Sequence, residues 1–207
     1  MRFLLKTTGL GAALLLGAGL IVPGLALAEP DAYRIDDSHS FANWTIRHVA
    51  SKTAGTFSDI KGKILIDREH LEKSSVEAKI NMLSVNSSHT KRDEHIKKPE
   101  YLDVEKFAEM TFVSKKIEVS SNAGGVITGD LTMHGMTKEM IFPFKVLGFG
   151  ADPWGGQRMG IEAHTSLKAS NFGFAWTLKP NPPVGDEIEI TLLIEGVKLP
   201  TENKTLK

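Results

Sequence analysis

Apolar and polar residues alternate strictly at several places along this chain. A period of two fits an extended strand with one face buried. The clearest stretch sets Ile188, Ile190, Leu192 and Ile194 against Glu187, Glu189, Thr191 and Glu195, with Leu193 alone off the pattern. Ala42, Trp44, Ile46 and His48 alternate in the same way, as do Gly62, Ile64 and Ile66, and then Val76, Ala78, Ile80 and Met82. Less regular strands are expected at 110–119, 126–133, 138–148 and 158–167. Turn-forming runs separate them: Asn122-Ala123-Gly124-Gly125, His134-Gly135, Asp152-Pro153-Trp154-Gly155-Gly156 and Asn181-Pro182-Pro183. Residues 88–97 break the rhythm. They are polar and lack Gly and Pro, which predicts one short helix, capped by a serine and stopped by Pro99.

About eight antiparallel strands and one helix make this an all-β chain, a barrel or a sandwich. Closing the sheet removes the exposed edges that would template aggregation. An eight-stranded barrel is just wide enough to be filled by its own side chains or to hold one small ligand. The expected inward residues include Gly62, Ala78, Gly160 and Ala163. Small residues there fit a cavity, or close packing against bulky neighbours, and the pattern leaves both open.

The first 28 residues read as an address. Arg2 and Lys6 precede an apolar run over 10–22, Pro23-Gly24 breaks it, and Ala26-Leu27-Ala28 has the small residues a signal peptidase reads. The run is shorter than the ~20 residues that span a bilayer. The expectation is a cleaved signal peptide over 1–28 and a single exported domain over 29–207. Cysteine is absent, which removes disulfides, thiolate-held metals, iron–sulfur clusters and thiol nucleophiles. Basic and acidic residues balance at 25 each, without the basic surplus of a nucleic-acid binder.

Catalytic signatures are missing from the mature segment. It contains no G-x-S-x-G, H-E-x-x-H, phosphate loop or G-x-G-x-x-G. Asp37-Ser38-His39-Ser40 holds the residue types of a hydrolytic triad, but neighbours on an extended chain point to opposite faces and cannot form the relay unaided. The seven histidines are scattered without metal-ligand spacing. The expectation is therefore a non-enzyme with no metal and no cofactor. His48 falls on an apolar face, where a core histidine bonded to a backbone carbonyl is favoured over a ligand contact. Arg92, Asp93 and His95 read as a solvated helix face. Arg158 follows the Gly-rich turn and either braces that turn or faces an anionic head group.

Motif order adds a resemblance. Tyr33-Arg34-Ile35-Asp36, His39-Ser40-Phe41, Ile46-Arg47-His48 and Gly55-Thr56-Phe57 are followed by Arg92-Asp93-Glu94-His95 and Asp103-Val104-Glu105-Lys106-Phe107. Then come Thr128-Gly129-Asp130-Leu131-Thr132, Gly135-Met136-Thr137-Lys138, Asp152-Pro153-Trp154-Gly155-Gly156 and Asn171-Phe172-Gly173. In order and spacing this series resembles the YceI-like family of bacterial periplasmic proteins, across nearly all of the mature chain. Glu109 stands where the family often has Pro. The resemblance implies an extended lipocalin-like antiparallel eight-stranded β-barrel with an interior pocket. It also implies a place in the periplasm of a Gram-negative bacterium and, for characterised relatives, binding of a polyisoprenoid or isoprenoid-quinone-like lipid, and it supplies no catalytic set.

A carrier of this kind is expected to line the tail with Trp44, Ile46, Ile64, Ile66, Val76, Ile80, Ile190 and Leu192. His48, Arg92 and Arg158 are the head-group candidates. The expected partner is a lipid-like small molecule, with transient contact to membranes or inner-membrane proteins and none to nucleic acid. The alternative is a periplasmic stress or interaction protein that partners a membrane redox or transport protein. The barrel would then be scaffold, and loop 152–156 or helix 92–97 the contact surface.

Overall fold

In a computed structural model that describes residues 29–200, one antiparallel sheet closes on itself. Its strands are β1 (Asp31–Ile35), β2 (Phe41–His48), β3 (Ser51–Phe57), β4 (Ile60–Ile66), β5 (Ser75–Asn81) and β6 (Val85–Asn86), then, after helix α1 (Thr90–Ile96), β7 (Glu109–Ser121), β8 (Gly124–Met133), β9 (Met136–Ala151), β10 (Gln157–Lys168) and β11 (Val184–Lys198). The expected signal segment lies outside the described residues.

Six of these strands are halves of three interrupted ones. β2 and β1 lie end to end along β11, with Phe41 opposite Leu193 and Ile35 opposite Gly196. β3 and β4 pair with β2 and β1 in turn, and β6 and β5 pair with β3 and β4. Counted this way the ring has eight members, the closed eight-stranded barrel expected from the alternation. Long β11 closes it by pairing with β10, β2 and β1.

The pleat sorts residues as the pattern requires. Ile60, Ile64 and Ile66 of β4, Val76, Ala78 and Ile80 of β5, and Ile190, Leu192 and Ile194 of β11 pack inward. Lysines and acids cover the outside and pair across strands: Lys52 with Glu189 at 2.5 Å, Lys79 with Glu109 at 3.1 Å, Lys115 with Asp130 at 2.6 Å. Exposed pairs of this kind stabilise little. Their value is that a charged outer wall belongs in water, whereas a lipid-facing barrel needs an apolar band. No helix among the described residues is long and apolar enough to cross a membrane.

At one end the ring is not sealed by hydrogen bonds. β6 is two residues long and pairs with β3 alone among the described strands. The space between β6 and β7 is taken by α1 and residues 97–108. The helix starts two residues later than predicted and its cap is different. Ser88 sits in the left-handed region (φ 61°), and the His89 ring nitrogen accepts from the Arg92 amide at 3.3 Å. A helix this short is marginal by itself. Asp93 holds it by accepting from the Ser87 amide at 2.8 Å and hydroxyl at 2.5 Å, while Arg92 donates to the Ser87 hydroxyl and carbonyl at 2.7 and 2.6 Å.

Candidate functional site

The barrel is hollow. An inner cavity of about 130 Å³ is lined almost wholly by apolar side chains, among them Ile35, Ile64, Val76, Phe142, Ala163 and Leu192. An outer cavity of about 360 Å³ adjoins it. Trp44, Phe57, Met110, Leu167 and Ile190 line both, so they form the waist where the two meet. Folded interiors otherwise contain few voids larger than a water molecule. Each cavity is far larger than such a void.

The outer cavity is built differently. β2 continues into it with Ile46 and His48, and β11 with Ile188 and Val184. β3, β6, β7, β8 and β10 add one or two residues each, and the rest of the wall comes from outside the sheet: Arg92, His95 and Ile96 of α1, Tyr101 and Leu102 after it, and Phe174 and Trp176 in the β10–β11 connection. A ladder of rings ties these segments together. Phe107, His134, Phe174, Trp176, Tyr101 and His95 follow one another at centroid distances of 4.2, 4.6, 4.6, 5.6 and 4.9 Å. Each such contact contributes about 0.5–1.5 kcal/mol beyond burial. His134 is fixed by a 3.0 Å bond to the Phe172 carbonyl, and the Trp176 indole donates to the Gly185 carbonyl at 3.1 Å.

Of the residues expected to hold a tail, Trp44, Ile64, Val76, Ile80, Ile190 and Leu192 line the inner cavity and Ile46 the outer one. Ile66 is buried in the core beyond both linings. The head-group candidates separate. His48 and Arg92 are exposed and line the outer cavity, so His48 is a rim residue and not the core histidine that its apolar neighbours implied. Arg158 lines neither cavity. Its neighbours Met159 and Ile161 point inward and Arg158 points out, where its guanidinium bonds Asp36 at 2.6 Å, Glu195 at 2.5 Å and Asp152 at 3.0 Å. It braces the 152–156 turn against the β1–β2 junction. Gly160 shares that outward parity, against expectation, and sits beside Leu147.

The same cluster corrects the reasoning about the triad-like residues. Residues 37–39 form a 3₁₀ turn, not an extended chain, so Ser38 and His39 meet, and the acid they share is Asp36 in place of the Asp37 named from the sequence. The Ser38 hydroxyl donates to Asp36 at 2.7 Å, and His39 Nδ1 lies 3.1 Å from that hydroxyl and 3.0 Å from the Asp36 carboxylate. One ring nitrogen faces both groups, whereas a relay needs one on each. Burial by itself would raise the Asp36 carboxyl. Hydrogen bonds from Ser38, Arg158 and His39 outweigh it and hold that carboxyl well below the usual carboxylate range. Donor atoms of Asp36, His39 and Glu195 lie within 4.8 Å of one another, as a metal would require, but the Arg158 cation already sits on both carboxylates.

Sequence reasoning missed the ring ladder and the inward face of β3. Thr53 and Phe57 line the outer cavity, and the inward position between them is Gly55, opposite Trp44. A glycine facing an aromatic across a strand pair was the available signal.

The family model described as YceI-like domain matches residues 33–196. A UPF0312 protein from Ectopseudomonas mendocina is 38% identical over 188 residues, spanning 90% of this chain and 96% of the relative. The solved structure of BcnA from Burkholderia cenocepacia superposes with a TM-score of 0.70 at 20% identity, covering 78% of this chain and 98% of that one. A polyisoprenoid binding domain from Saccharophagus degradans, implicated in plant cell wall breakdown, superposes with a TM-score of 0.61 at 13% identity, covering 82% and 99%. At those identities the two structures share the fold.

Proposed function

This chain belongs to the YceI-like domain family, and from that premise we propose that it is an exported, non-enzymatic lipid carrier that holds a long isoprenoid-like molecule in its barrel. The observation that carries the reading is a pair of adjoining cavities that share five lining residues, the inner one almost wholly apolar and the outer one mainly apolar with His48, Arg92 and His95 on its wall. The Saccharophagus domain, of the same fold and known as polyisoprenoid binding, supports the same ligand class. The tail occupies the inner cavity, and the head lies near His48 and Arg92.

Each buried methylene gains about 0.8 kcal/mol relative to water. A bilayer shelters the same tail about equally well. Net preference for the protein therefore comes from shape and from head contacts, a few kcal/mol in all. That balance suits an exchanger between membranes better than a trap. The test is mass spectrometry of organic extracts from protein purified out of its own periplasm. A recurring isoprenoid species at near one per barrel is expected, and extracts that stay empty overturn the reading.

One observation favours the interaction alternative. Trp154, at the tip of the β9–β10 turn, is 86% exposed, at the end of the barrel away from the outer cavity. Under that reading, replacing the turn abolishes cross-linking to a membrane partner while lipid content stays unchanged.

A further inference from the structure

Large apolar side chains standing singly on a surface are ordinary. The three most exposed among the described residues are Trp154 at 86%, Leu178 at 83% and Val49 at 61%. Two of the three stand at the lip of the outer cavity. Val49 follows His48 in the β2–β3 turn, and His48 lines that cavity. Leu178 lies in the stretch 177–182, which leaves the cavity wall at Trp176 and returns to it at Pro183. The two segments are fastened into one edge. The Val49 amide donates to the Pro183 carbonyl at 2.7 Å, and Arg47 donates to the carbonyls of Val49 and Pro182 at 3.1 and 3.2 Å.

Val49 is also an unusual residue for its backbone. Its φ of 52° is left-handed, a region that glycine or asparagine enters readily and a β-branched residue does not. A turn that only had to reverse the chain in water would be better served by either of those. Such strain persists where the surroundings fix it, and the bonds to Pro183 and Arg47 do so here. Pro180, Pro182 and Pro183 stiffen the other segment. Leu178 is therefore presented with little ordering left to lose on docking.

Charge decides what the edge faces. Residues 47–52 and 174–183 carry Arg47, Lys52 and Lys179 and no acid. Glu189 pairs with Lys52, but the Arg47 guanidinium bonds only backbone carbonyls, and Lys179 makes no ion pair among the described residues. Elsewhere on the cavity wall, α1 mixes both signs. Exposed apolar tips beside unpaired cations suit an interface of anionic lipid headgroups. A protein partner would need a broad complementary patch, which a narrow edge with two tips does not offer. Two short side chains bury too little to anchor the protein, so the contact is brief and reversible.

We propose that this edge, Val49 and Leu178 with Arg47 and Lys179, is the surface on which the protein settles against an anionic bilayer, with the outer cavity beside the lipid. The proposal extends the carrier reading by naming the end that meets the membrane. It rests on that reading for its purpose only, since docking itself needs no lipid in the barrel.

The experiment floats lipid-stripped mature protein with vesicles of phosphatidylcholine, alone or with about one third phosphatidylglycerol. Partition onto the anionic vesicles is expected to be about tenfold stronger than onto the neutral ones and to vanish in high salt. Val49→Asn combined with Leu178→Ser is expected to reduce it about fivefold, and Lys179→Glu to reduce it by about as much. Asn suits the left-handed turn, so the double variant keeps its fold. Trp154→Ser, which removes an equally exposed side chain at the far end, is expected to leave partition unchanged. Absent or equal partition onto the two vesicles, partition that survives the double variant in full, or partition lost with Trp154→Ser overturns the docking edge and leaves the carrier reading standing. Docking through the edge, together with organic extracts that stay empty, overturns the carrier reading and leaves the edge standing.

Discussion

The two cavities are made by opposite means. The inner one is a product of regular structure: strands on every side, period-two alternation, and a lining with almost no polar atom. The outer one is closed by a seven-residue helix, the 3₁₀ turns that carry Met82 and Trp176, and a stack of rings, and it admits His48, Thr53, Arg92, His95 and Tyr101. Hydrogen-bonded sheet fixes depth and dryness, because each backbone group is already satisfied and only side chains face the space. Irregular segments supply polarity and a mouth, because they leave the ladder and carry mixed residues. Binding strength should therefore reside in the inner cavity and exchange and head selection in the outer one.

The largest expected effect breaks the inner half. Ala163→Phe places a ring in space that Ala163 now borders. Lipid affinity is expected to fall about a hundredfold, equivalent to about 2.7 kcal/mol, while the unfolding midpoint changes little because a void receives the ring. Titration with a fluorescent fatty probe measures it. Retained affinity would mean that the tail does not enter the inner cavity.

A smaller effect should touch neither cavity. The folded chain holds the Asp36 carboxyl below its ordinary range through Ser38, Arg158 and His39. A depressed carboxyl contributes stability that is present above the unfolded pKa, about 3.9, and is lost as pH falls through the folded value. Asp36→Asn is expected to cost about 2 kcal/mol at pH 7, and the gap from the parent should narrow on acidification below pH ~4. Urea unfolding across that range measures it. Lipid affinity should stay within twofold, since the cluster lies on the outer wall.

The smallest effect belongs to the rim. Arg92→Ala is expected to weaken binding of an anionic lipid by a few-fold and of a neutral one hardly at all, with the difference vanishing in high salt as exposed charges are screened. Equal losses for both lipids would mean that Arg92 acts through Ser87 and the set of α1 and not through the head group.

Much of the inner half was readable from order alone. The alternations in β2, β4, β5 and β11 named inward residues that do line the space or pack beside it. The outer half was hidden for physical reasons. β3 shows no apolar alternation because its inward Gly55 is covered by an indole from the neighbouring strand. His48 looked buried because its strand is apolar up to that point, but the strand runs out into the rim. Asp37, Ser38 and His39 were expected to diverge because an extended chain was assumed where a 3₁₀ turn lies, and the acid that meets Ser38 and His39 is Asp36. Arg158 had two readings, and an acid 122 positions away in sequence decided between them.

The amino-acid order by itself determined that strands would form, which of their faces would turn from water, and where most turns would fall, because these depend on neighbours one to four residues apart. Tertiary structure alone decided that the wall would close through β11, with Tyr33 opposite Lys198. It also decided that the middle would stay open and that one indole at the waist would keep its N–H unpaired. Those outcomes depend on which side chains meet across the axis from distant strands, and local sequence carries no record of that distance.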